Sequence, residues 1–206
     1  MLFRSNLWAG LWRENPALVQ LLGLCPLLAV SGTVRTAMGL GLTTLAVLTL
    51  ASFGVSLLRR LLDDDTRLPA QILVIASLVT AADMTLEAFA FDLHQRIGLF
   101  VALIVTNCTL LGRAEVFARR NPVASSLVDG FMVGTGFLVV LLVMGAIREV
   151  LGQGTLFANL HLLTGLPDMT LHISDTRLLL MVLPPGAFLT TGCLIALKNF
   201  LDGRQS

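Results

Sequence analysis

Six apolar stretches, at about residues 17–34, 38–62, 68–91, 97–117, 124–150 and 177–200, dominate this chain of 206 residues. A helix needs about 20 mostly apolar residues to cross the hydrocarbon core of a bilayer, and each stretch approaches that length. The chain is 55% hydrophobic and only 13% charged, against roughly 25% charged residues in an ordinary soluble domain. That composition excludes a soluble globule. The expectation is an all-α integral membrane protein of six transmembrane helices, folded as one membrane domain over residues 1–206. A formal net charge of +1 leaves no concentrated basic face for nucleic acid. The lipid bilayer is the solvent that the composition specifies.

Polar punctuation separates the stretches: Arg35, then Arg59, Arg60 and Asp63 to Asp65, then Asp92 to Arg96, Arg119 to Pro122, and the segment Gly152 to Asp175. Lys and Arg favour cytoplasmic loops. Arg4, Arg13, Arg59, Arg60, Arg67, Arg113, Arg119, Arg120, Lys198 and Arg204 fall on one side; Arg35, Arg96, Arg148 and Arg177 fall on the other. The excess places both termini of a multi-pass protein in the cytoplasm and the segment 152–175 outside. Met1 to Pro16 carries Arg4, Trp8, Trp12 and Arg13 with no small-residue cleavage site after the following apolar stretch, so no cleaved signal peptide is expected.

The first and fourth stretches correspond: Gly23-Leu24-Cys25-Pro26-Leu27-Leu28 against Thr106-Asn107-Cys108-Thr109-Leu110-Leu111. Three spans separate the copies, an odd number, so they enter the membrane from opposite faces. This predicts a 3+3 inverted repeat, with repeat one over about 15–92 and repeat two over about 96–201. In such proteins the first helix of each half is often broken at mid-membrane. Gly23, Pro26, Ser31 and Gly32 flank Cys25, and Thr106, Asn107 and Gly112 flank Cys108, so both first helices carry residues that weaken a helix at that depth.

Cys25, Cys108 and Cys193 lie in three separate apolar segments, unlike a disulfide framework, and are expected as buried thiols or ligands. A lone membrane cysteine is ordinarily a small hydrophobe, which is the reading for Cys193. The symmetric placement of Cys25 and Cys108, each beside a break, favours a ligand pair. Zinc and iron-sulfur centres take about four ligands, and His94, His161 and His172 are expected in solvated loops. Half a site implies a partner.

The run from Asn15-Pro16 through Gly23-Leu24-Cys25-Pro26 to Val30, with Thr106-Asn107-Cys108 and Gly112-Arg113-Ala114-Glu115, resembles the E-subunit family of the Rnf (Rsx) electron-transport complexes. The wider family takes in the A subunits of those complexes and the D and E subunits of the sodium-translocating NADH:quinone reductase. The resemblance covers nearly the whole chain, including Asp129-Gly130 and Arg148-Glu149. It implies a membrane subunit of the bacterial inner membrane, paired with a homologous A subunit of opposite orientation and with the B, C, D and G subunits. It also implies a [2Fe-2S] cluster shared with the A subunit, for which Cys25 and Cys108 are half of the ligands. The cluster would relay electrons in a complex that links NADH and ferredoxin or flavodoxin to sodium or proton movement. Such a chain is part of an oxidoreductase and not catalytic alone. The competing readings are a transporter-like ion-conducting subunit without a redox centre and a purely structural subunit.

Asp83 and Glu87 lie one helical turn apart in the third stretch, where an acidic residue costs about 2.5–3.5 kcal/mol at the helix centre. They are candidates for an ion pathway, although Glu87 also reads as a solvated group near the outer end. Arg113 and Glu115 either cap a broken helix or set a positive charge near a negative cluster. Asp129 and the pair Arg148 and Glu149 read as boundary anchors at the water interface. Asp63 to Asp65 reads as a solvated loop. No phosphate-binding loop or dinucleotide glycine pattern is present, and Gly39 and Gly41 read as packing glycines.

Overall fold

The computed structural model describes residues 17–58, 66–153, 155–156, 171–172 and 179–203. These are helical apart from turns and one two-residue antiparallel ladder, Thr155–Leu156 with Leu171–His172. In chain order the helices are α1 (Leu24–Val30), α2 (Val34–Leu58), α3 (Arg67–Phe89), α4 (Phe91–Ala102), α5 (Cys108–Arg113), α6 (Val123–Gln153), α7 (Leu179–Val182) and α8 (Pro184–Gly203). A π-helical turn, Ala114–Ala118, continues α5.

Among the described residues, three helices are long and apolar enough to span a membrane: Val34–Leu58, Leu68–Phe89 and Val123–Gln153. The other expected spans appear in pieces. The stretch 17–34 holds turns and the seven residues of α1. The stretch 97–117 falls on the end of α4, a non-helical link over 103–107, α5 and the π-turn. The stretch 177–200 is divided at Leu183, before Pro184-Pro185-Gly186. Proline lacks an N–H and its ring clashes with the preceding turn, so the pair closes α7 and is tolerated at the start of α8. Arg4, Arg13, Arg59, Arg60, Asp63 to Asp65, His161 and most of the segment 152–175 lie outside the described residues.

α2 packs along α6 at the centre of the bundle. Small residues let the two backbones approach, as is usual between membrane helices. At Gly130 an added Cβ would lie 2.8 Å from Ser52 Oγ and 3.2 Å from the Leu48 carbonyl oxygen; at Gly145 it would lie 3.0 Å from Ala37 Cβ. One apolar cluster joins α2 to α3, α4 and α5 through Leu40, Val47, Ile75, Ile97 and Leu110. A second gathers Ala17, Leu27 of α1, and Phe137, Leu141 and Met144 of α6. α3 lies at the periphery, with Leu73, Met84 and Phe89 exposed on its outer surface.

Candidate functional site

Both cysteine segments begin a helix after irregular backbone. Before Cys25, the left-handed residues Leu21 (φ 54°) and Gly23 (φ 74°) turn the chain into α1. Pro26 then falls in the first turn of α1, where no intrahelical donor is missed. It therefore starts this helix and does not interrupt one. Cys108 is the first residue of α5. The Asn107 side chain caps that helix by accepting from the Thr109 N–H at 3.0 Å, which satisfies one of its orphan donors.

At 1.5 Å per residue, the seven residues of α1 cover about 10 Å. The helical run from Cys108 to Ala118 covers about 16 Å by the same rise. α1 ends at Val30, shortly before α2, and the second run ends at Ala118, shortly before α6.

The two breaks also touch. A Cβ added at Gly23 would lie 2.7 Å from Thr109 Oγ1 and 3.1 Å from Asn107 Oδ1, so glycine is required by close approach as well as by its φ. Cys25 and Cys108 thus flank one contact, each within two residues of it. Both are exposed on the isolated chain. Cys193 on α8, expected as a buried small hydrophobe, is exposed too. Beneath the surface, Asn107 Nδ2 and Thr109 Oγ1 are buried with no hydrogen-bond partner among the described residues. Among the described residues no group of three or more His, Cys, Asp and Glu is placed to hold a metal ion.

Asp83 and Glu87 lie one helical turn apart on α3. Asp83 is part-exposed, with Oδ1 3.0 Å from His94 Nε2, whereas Glu87 is exposed. His94 is in helix α4, not in the solvated loop expected for it, because the helix resumes at Phe91 directly after the break at Ala90. Arg35 is buried and bonds Asp92 at 3.1 Å, joining the start of α2 to the start of α4. Arg113 pairs with Asp129 at 3.2 Å and lies over the Phe117 ring. Glu115 pairs with Arg119 and accepts from Gln71 Nε2 at 3.0 Å. These contacts lock the π-turn to α3 and α6.

The roles of Arg148 and Glu149 were not legible in the sequence. Expected at a water boundary, they are 3% and 0% exposed. Glu149 Oε2 accepts from the Val34 N–H at 2.7 Å, at the head of α2. Arg148 donates to oxygens of the segment that ends α1 and of the one that ends α7. Their adjacency as opposite charges near a helix end was the available signal, but it is the same for a solvated pair.

The model of a family described as "Rnf-Nqr subunit, membrane protein" matches residues 3–195. The E subunit of the ion-translocating oxidoreductase complex of Pseudoalteromonas atlantica is 49% identical over 206 residues, covering 98% of this chain and 89% of the relative. Its namesake in Shewanella loihica is 50% identical, covering 97% and 88%. That of Cellvibrio japonicus is 52% identical, covering 97% and 86%.

Proposed function

The chain belongs to the Rnf-Nqr family of membrane subunits, and from that premise we propose that it is the E-type subunit of an ion-translocating oxidoreductase complex, holding half of an intramembrane [2Fe-2S] cluster. The observation that carries this reading is the meeting of two helix breaks at Gly23, Asn107 and Thr109, with one exposed thiol beside each break. Such thiols are available to a second chain. The donor set suits the group, because thiolates are the usual ligands of iron-sulfur clusters and four are needed. A homologous subunit of opposite orientation, the A subunit, would bring the other two. The cluster, when bound, supplies one-electron transfer inside the membrane.

The rest is the work of this chain's own residues. Gly23 and Asn107 set the backbone so that Cys25 and Cys108 each stand in the first turn of a helix. Their sulfurs face outward from packed helices, and the apolar residues beneath, Leu27 and Leu110, are buried, which keeps water from that side. A low-dielectric surround of this kind tunes a cluster's potential. The six spans read as two inverted halves of three: a cysteine-bearing half-helix, a long glycine-bearing helix, and a third span, with α2 and α6 against each other at the centre. Both termini are assigned to the cytoplasm of a bacterium, and the membrane to its inner membrane. Asp83, bonded to His94, is the candidate ion-pathway carboxylate, with Glu87 one turn further on.

Cys25→Ser and Cys108→Ser are each expected to remove the cluster's EPR signal and iron from a purified, assembled complex, while Cys193→Ser retains them. An unchanged signal in either of the first two variants would sink the reading.

A further inference from the structure

A seven-residue helix has little stability of its own, and α1 carries Cys25. Leu27 anchors it by its apolar side chain. Its C-terminal end is held by the Thr36 hydroxyl, which donates to the Val30 carbonyl at 2.8 Å, and by one side chain from the opposite half of the chain. Arg148 Nη1 donates to Ser31 Oγ at 2.9 Å and to the Leu28 carbonyl at 3.4 Å. Its Nε donates to the Met181 carbonyl at 3.1 Å, and Nη2 to those of Val182 at 2.7 Å and Leu183 at 3.4 Å. One guanidinium therefore satisfies carbonyls where α1 ends and where α7 ends, groups that have no partner within their own helices. A positive charge suits that place, since the negative poles of both helices point to it. Only arginine offers donors in a planar fork wide enough for two such ends. Arg148 itself is fixed by the long central helix α6, and its neighbour Glu149 holds the first N–H of α2. The joint between α1 and α2 is thus gripped on both sides by two consecutive residues.

We propose that Arg148 is a positioning residue for Cys25: by clasping the end of α1 to the α7–α8 break, it sets the distance between the two thiols. The function of that distance rests on the thiols being cluster ligands, as proposed for this subunit.

The test has two arms. In the full-length chain with Cys193→Ser, nitroxide labels on Cys25 and Cys108 report the distance distribution by pulsed EPR. Arg148→Met is expected to widen that distribution about twofold, and Arg148→Lys, which reaches fewer of the carbonyls, to widen it less. In the assembled complex with native cysteines, Arg148→Met is expected to broaden the cluster's EPR lines and Arg148→Lys to restore them in part. A distribution unchanged in Arg148→Met, with native helix content, would overturn the proposal, as would a widened distribution with an unaltered cluster spectrum. If Arg148→Met fails to insert, Ser31→Ala removes a single bond of the clasp and is read in the same way, an unchanged distribution again counting against it. The label distances need no cluster, so they judge Arg148 even if the cysteine variants show that the cluster is absent.

Discussion

Replacing Gly23 by alanine probes the contact on which the candidate site depends. Two effects combine. An L residue in the left-handed region is disfavoured by roughly 1–2 kcal/mol, and Gly23 has φ 74°. The new Cβ would lie 2.7 Å from Thr109 Oγ1, 3.0 Å from Phe137 Cε2 and 3.1 Å from Asn107 Oδ1. All three side chains are buried, so none can swing away, and overpacking of this kind costs about 1–3 kcal/mol. The expected loss is therefore about 2–5 kcal/mol, or roughly 4–20 °C in Tm for a chain of this size. The assay is thermal unfolding of the detergent-solubilised chain followed by circular dichroism at 222 nm. Gly32→Ala is the control, since nothing among the described residues lies within 4 Å of a Cβ there and its φ is not in the left-handed region; it should change Tm by less than about 2 °C. The double variant Gly23→Ala with Thr109→Ala removes the shortest contact, and should recover about 1 kcal/mol while the backbone strain remains. If Gly23→Ala melts with Gly32→Ala, the two breaks are not in contact as described.

Asn107→Ala is expected to cost about 0.5–2 kcal/mol by removing the cap of α5; Asn107→Ser, which can still accept from the Thr109 N–H, should recover most of it in the same thermal assay. Gly130→Val, pressed on Ser52 and on the Leu48 carbonyl, should lower Tm by several degrees through an overpacking cost of about 1–3 kcal/mol. Gly192→Ala in α8, where no described residue lies within 4 Å of an added Cβ, should not lower Tm, since alanine is the better helix former by about 1 kcal/mol. Asp83→Asn is expected to abolish coupled sodium or proton uptake in vesicles bearing the assembled complex, and His94→Gln to reduce it through loss of the 3.0 Å contact; normal uptake in Asp83→Asn would remove that carboxylate from the ion pathway.

Membrane residence, the helical class and the irregular backbone before Cys25 and Cys108 were legible in the sequence, because hydropathy and helix-weakening residues act locally. The cap at Asn107, the helix start at Pro26 and the α7–α8 break at Pro184-Pro185 are short-range devices too, but from sequence alone Asn107 and Pro26 read as interruptions and 177–200 as one span. What only the tertiary structure decided is which groups find each other across the chain. Arg148 and Glu149 look like a solvated boundary pair until Ser31, Val34 and Met181, distant in sequence, prove to be their partners. His94 changes from a loop residue to the partner of Asp83 once α4 folds back on α3. A side chain's charge is written in the sequence, but whether burying it is tolerable depends on acceptors and donors brought in by other helices. The pairing of the two cysteine breaks is of this second kind, since it rests on Gly23 meeting Asn107 and Thr109 across the bundle.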